Sequence, residues 1–151
     1  FVGSRGLGDV YKRQVYTFIK RTAPFAGFMT FDGTSGENCL AKRDRSNTPL
    51  QALTLLNDEM YLELARAAGH AVHQKKDDPV ESLFRRFLTR SPKQTETEDL
   101  RAYYERQIQR LEKGEIKPSE IADDSKASPE LAGKVLLARA IMNLDEAITK
   151  P

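Results

Sequence analysis

The sequence predicts an all-α domain, on three observations. Thr48-Pro49, Asp78-Pro79 and Ser128-Pro129 each place a capping side chain before a proline whose fixed φ and missing N–H suit the first helical position. After each pair, apolar residues recur at steps of three and four. No stretch alternates apolar and polar residues as a half-buried strand would. The expected architecture is an irregular domain of about five helices with a long ordered N-terminal loop, truncated at its N-terminus.

Val15 to Arg21, VYTFIKR, reads as the end of a helix that begins upstream. Pro24 and Gly27 stop it, and Thr22 to Asn47 reads as a long loop pinned by Phe25, Phe28, Met29 and Phe31. Thr48, Pro49 and Gln51 then form a Thr-x-x-Gln capping box, in which each side chain satisfies the other residue's backbone N–H. Leu53, Leu56, Met60, Leu64 and Ala68 supply an apolar stripe, so a helix is expected from Pro49 to about Gln74, with a restart at Asn57-Asp58-Glu59 as the alternative.

Asp78-Pro79-Val80-Glu81 repeats the start signal, with Val80, Leu83, Phe84, Phe87 and Leu88 as the buried face. Thr95 and Glu98 suggest a further capping box before Leu100, Tyr103, Tyr104, Ile108 and Leu111, and Gly114 ends that helix. Lys117 to Ala127 is polar, with room for one helical turn. Ser128-Pro129 opens a last helix whose run VLLARAIMNL is apolar on most sides, which places it at the centre of the core.

With 151 residues and 39% hydrophobic composition, the chain holds one domain's worth of core. The opening FVGSRGLGDVYKRQ is not continuous in character with the residues after it, and GLGDVYKRQ looks like the translated sequencing-adapter tail found at the ends of metagenomic reading frames. Residues 1–14 are therefore set apart as a sequencing-adapter artefact, and residues 15–151 carry the fold. The whole chain has 24 basic and 22 acidic residues; without Arg5, Lys12, Arg13 and Asp9, 21 of each remain. That balance removes the net positive field of a non-specific nucleic-acid binder, so no nucleic-acid partner is expected. No apolar run approaches the ~20 residues of a membrane-spanning helix. The single cysteine, Cys39, cannot form an internal disulfide or a Cys-rich zinc site.

Polar chemistry concentrates in the segment before the Pro49 helix. Asp32, Glu37, Arg43, Arg45 and Asn47 are the candidate ligand-binding residues, with Ser35 and Cys39 among them. Folded over a helix start, two guanidiniums would favour a carboxylate, sulfate or phosphate. The competing reading pairs Arg43 and Arg45 with Asp32, Glu37 or Asp44 and merely fastens the loop. His70 and His73 lie three apart on one helical face but lack the further ligands a metal needs, so a solvated face is the better reading. Cys39 has no base near it in sequence and reads as a structural thiol, and Tyr103 and Tyr104 fit core positions better than a base-stacking platform.

Four blocks in order, VYTFIKRTAP, MTFDGTSGENC, RDRSNTPLQALTLLND and ARAIMNLDEAITK, resemble the PSD-one domain (domain of unknown function fifteen fifty-three). That domain is the C-terminal part of large planctomycete cytochrome-type multidomain proteins. The resemblance covers residues 15–150, with NTPLQAL its most specific part. Asp32, Ser35, Cys39, Arg43, Arg45, Asn47, Thr48, Pro49 and Gln51 match the family pattern. Ser46 stands where threonine is usual, and Gly36 falls where arginine is common, which weakens an anion site.

The resemblance implies an exported protein, periplasmic or extracellular, with haem c in an upstream domain and no cofactor within this segment. The leading expectation is a non-catalytic helical module that packs on upstream domains of the same polypeptide and offers a surface to an extracellular polymer. Those domains are expected to cover the Val15 helix and the exposed faces of Leu100 to Leu111, and the isolated chain is expected to be marginally stable. The alternative is part of an enzyme active site, completed by the upstream domain and acting on an anionic or polysaccharide substrate. That reading needs two carboxylates facing a common void.

Overall fold

The computed structural model describes residues 26–33, 46–75 and 77–148. Among them the protein is all-α, with eight helices and no strand. They are α1 (Ala26–Thr30), α2 (Pro49–Asn57), α3 (Glu59–Lys75), α4 (Pro79–Leu88), α5 (Gln94–Glu112), α6 (Pro118–Ala122), α7 (Pro129–Met142) and α8 (Asp145–Ile148). Five of these, α2, α3, α4, α5 and α7, have nine residues or more, and they correspond to four of the expected helices, α2 and α3 sharing the span expected of one. The Val15 helix and most of the Thr22 to Asn47 loop lie outside the described residues.

The chain divides into two units, residues 1–51 and 52–151. In the first, α1 is a helical turn within the span expected to be loop. It closes through Asp32, which is left-handed at φ 56°, while the Gly33 N–H bonds the Phe28 carbonyl. That exchange satisfies an end carbonyl in the Schellman manner. A Cβ at Gly33 would lie 2.5 Å from the Phe28 carbonyl oxygen, so only glycine fits. Phe28 and Met29 are 41% and 49% exposed.

The second unit is built around α7, which packs against α3, α4, α5, α6 and α8. Ten of its fourteen residues are buried, as its nearly continuous apolar run requires. The core joins Ala65, Ala68 and Val72 of α3, Val80, Leu83, Phe84 and Leu88 of α4, and Leu131, Val135, Leu137, Ala138 and Ile141 of α7. Two glycines let the helices close on α7. A Cβ on Gly69 would sit 2.7 Å from the Val135 Cγ2, and one on Gly133 would sit 3.0 Å from Tyr104 and 3.1 Å from Ile108.

The caps follow the sequence closely at two of these helices. The Asp78 Oδ1 accepts from the Val80 N–H at 3.0 Å, and the Ser128 Oγ accepts from the Leu131 N–H at 3.1 Å. Gly114, at φ 74°, ends α5. The start of α5 differs: its cap is Lys93, two residues before the expected Thr95. Glu96, not Glu98, reaches back to accept the Lys93 N–H, at 2.7 Å. Glu96 is preferred there because it also pairs with Arg90, at 2.8 Å.

The expected long second helix is in fact two. The Asp58 Oδ1 accepts from the Met60 N–H at 2.9 Å and starts α3 afresh, while the Asp58 N–H still closes α2 on the Thr54 carbonyl at 2.9 Å. Arg139 of α7 ties this joint down by donating to the Leu56 carbonyl at 2.6 Å. The break rotates the buried face. Leu53, Met60 and Leu64 of the expected stripe are 55%, 37% and 50% exposed, and only Ala68 of its later members is buried. Leu55, Ala65 and Val72 are buried instead. Along α5, Leu100, Tyr103 and Tyr104 pack on the core of this same unit, and Leu111 meets Ala132 and Leu136 of α7.

Candidate functional site

The described part of the polar segment is a closed hydrogen-bond chain in the first unit. Gln51, 1% exposed, is its hub. The Gln51 Oε1 accepts from the Thr48 N–H at 3.2 Å, and the Thr48 Oγ1 accepts from the Gln51 N–H at 3.4 Å. This is the capping box the sequence foretold. Its other end does more than cap: the Gln51 Nε2 donates to the Thr30 carbonyl at 2.9 Å and to the Ser46 Oγ at 3.1 Å. For a buried amide with these partners, the hydrogen bonds offset the cost of leaving water and hold each partner in place.

Ser46 passes the chain on to Asp32. The Ser46 hydroxyl donates to the Asp32 Oδ1 at 2.6 Å, and the Ser46 N–H donates to the Oδ2 at 2.8 Å. Both carboxylate oxygens are thereby engaged. The bonds from the Ser46 hydroxyl and N–H hold the Asp32 carboxyl below its usual range, with Gln51 adding to the effect. These bonds tie two positions fourteen residues apart, so both ends of the intervening segment are held together at a polar neck.

Of the five candidate residues, Asp32 lies in this neck and Asn47 lies beside it, exposed, between Ser46 and Thr48. Glu37, Arg43 and Arg45 lie outside the described residues, as does Cys39. Asp32 is committed to Ser46 and is not presented toward a second carboxylate among the described residues. Sequence reasoning missed Ser46 as a participant. Its signal was faint: an aspartate and a hydroxyl residue flanking a polar stretch, with the hydroxyl kept where threonine is usual.

A second polar cluster, also unforeseen, lies between α3 and α7. Lys134 is only 3% exposed. The Lys134 Nζ donates to the Glu130 Oε1 at 2.6 Å and to the His73 Nδ1 at 3.3 Å. The Lys134 ammonium holds the Glu130 carboxyl below its usual range. His73, its side chain 38% exposed, thus joins this network while still facing solvent in part. Among the described residues, no group of three or more His, Cys, Asp or Glu is placed to hold a metal ion. No helix among them is long and apolar enough to cross a membrane.

A third cluster centres on Arg90, in the turn between α4 and α5. Its guanidinium takes Glu96 on one edge, at 2.8 and 2.9 Å, and Glu146 of α8 on the other, at 2.6 and 2.7 Å. The Phe84 ring lies beneath it, 4.7 Å from the guanidinium carbon. Arg90 is pushed further above its ordinary range by the bonds to Glu96 and Glu146. Glu96 is drawn down to about 2, first by Arg90 and then by the Lys93 N–H.

No curated protein and no solved structure matches the chain. A family model does match, over residues 4–104 of the 151. It spans α1 to α4, the neck and the first half of α5, and it begins within the opening stretch set apart on sequence grounds. The chain belongs to the PSD1 family, whose description is protein of unknown function (DUF1553).

Proposed function

We propose that this chain is a non-catalytic helical module of an exported multidomain protein and that it packs on other domains of its own polypeptide. The observation that carries this reading is the apolar side chains left in water along α2 and the start of α3. Leu53, Met60 and Leu64 are 55%, 37% and 50% exposed, and the opposite side of α3 is buried in the core through Ala65, Ala68 and Val72. Large aliphatic groups grouped on a helix surface mark an interaction site more often than scattered ones do. The commitment of Asp32 to Ser46 supports the non-catalytic half of the reading, because a carboxylate with both oxygens engaged is poorly placed to move protons.

Within this proposal, Asp32 fastens the neck, and Glu37, Arg43, Arg45 and Asn47 supply a polar ligand-binding surface. Paired guanidiniums would direct that surface toward a carboxylated or sulfated extracellular polymer. Hydrogen exchange on the natural full-length gene product tests the packing. Amides from Leu53 to Leu64 are expected to exchange at least about tenfold more slowly there than in this chain alone. Equal exchange in the two contexts would refute domain packing through this face.

A further inference from the structure

We propose that Asp32-Gly33 is a latent site of aspartate isomerisation, kept shut by the bonds from Ser46, and that conversion of Asp32 to isoaspartate opens the neck. In an Asp-Gly pair the glycine backbone nitrogen can attack the aspartate Cγ, because glycine has no Cβ to hinder the approach. The new nitrogen–carbon bond forms as the carboxyl hydroxyl departs with the amide proton as water. Water then opens the succinimide ring at one carbonyl or the other, restoring aspartate or leaving the main chain routed through the former side chain. One water leaves and one enters, so the step needs no other reactant.

The fold itself imposes this reactive pair. Asp32 is left-handed, at φ 56°, a conformation that aspartate accepts more readily than most residues with a side chain, and a Cβ at position 33 would lie 2.5 Å from the Phe28 carbonyl oxygen. The same turn occupies the atoms that the reaction uses. The Gly33 N–H, which must be lost for the nitrogen to attack, donates to the Phe28 carbonyl. The Ser46 hydroxyl and N–H hold Oδ1 and Oδ2 at 2.6 and 2.8 Å, which fixes the direction of Cγ. They also favour the ionised carboxylate, which has no hydroxyl to lose. Gln51 braces the Ser46 oxygen at 3.1 Å. Reaction therefore waits for local opening of these bonds. Isoaspartate adds a methylene to the main chain and carries its carboxylate on the α-carbon, so neither the end of α1 nor the pair of bonds to Ser46 keeps its geometry.

Ageing of the whole chain in warm neutral buffer tests this, with isoaspartate at position 32 read by peptide mapping and by isoaspartyl methyltransferase labelling. The folded wild type is expected to form isoaspartate at least about tenfold more slowly than the same chain in urea, since only the opened neck reacts. Ser46→Ala should close much of that gap, while Ser46→Thr, which keeps the hydroxyl, should age like the wild type. Equal rates for the folded and the urea-unfolded wild type would overturn the proposal, and that comparison needs no variant. Wild-type ageing in Ser46→Ala would overturn it too, as would fast ageing in Ser46→Thr. So would an isoaspartate-bearing chain whose Ser46 and Gln51 amides exchange as slowly as before.

Discussion

Asp32 and Ser46 are joined by two hydrogen bonds, hydroxyl to Oδ1 at 2.6 Å and backbone N–H to Oδ2 at 2.8 Å. Gln51 holds the same serine oxygen from the other side at 3.1 Å. The helix-capping box of α2 is thereby extended into a clasp. Substituting Gln51 by leucine keeps the volume but strands the Thr48 N–H and the Thr30 carbonyl, a loss of about 1–3 kcal/mol. Chemical denaturation is the check. Ser46→Thr keeps the hydroxyl and should stay within about 0.5 kcal/mol of wild type.

Acid should weaken the Arg90 and Lys134 clusters. Glu96 is drawn down to about 2, and Glu130 and Glu146 are lowered too. Folded-state carboxylates that hold protons less tightly than unfolded ones stabilise the protein above the unfolded value, about 4.3, and lose that contribution as pH falls through the folded value. Stability should therefore decline from about pH 4.3 toward about 2. Glu96→Gln should flatten that decline and lower the neutral-pH plateau, as urea titrations at several pH values would reveal.

Gly69 and Gly133 should differ in their tolerance of alanine. At Gly69 the new methyl meets the Val135 side chain at 2.7 Å and its backbone nitrogen at 3.1 Å, so helices must part. A cost of about 1–3 kcal/mol is expected. At Gly133 the neighbours are side-chain atoms of Tyr104 and Ile108 at 3.0 and 3.1 Å, which can turn aside. The Gly133→Ala cost should be the smaller of the two in thermal melts.

Thr89 ends α4 in the left-handed conformation, at φ 59°, which a β-branched residue adopts against its preference. Thr89→Gly should raise stability by up to about 1 kcal/mol, the relief of strain being partly offset by greater freedom of the unfolded chain. A lower midpoint in the variant would show that the threonine side chain is held by something stronger than that strain.

Helix starts were legible because they are local: Asp78-Pro79 and Ser128-Pro129 carry their own caps, and Thr48 with Gln51 carries a complete box. The central place of α7 was legible from its unbroken apolar run. Which side of α2 and α3 is buried was not, because the Asp58 restart turns one helix against the next and a continuous period no longer holds. The second role of Gln51, the partnership of Ser46 and the burial of Lys134 were hidden for another reason. Each depends on groups brought together across the fold, such as His73 and Lys134, 61 positions apart.

Leu53→Glu with Leu64→Glu, assayed by denaturation in this chain and in the natural full-length product, tests the central claim most directly. Both side chains are half exposed here. The account predicts a change within about 0.5 kcal/mol in this chain and a loss of at least about 2 kcal/mol in the full-length product, where two charges would enter a packed apolar contact. Indifference of the full-length product would contradict the claim that this face packs on another domain.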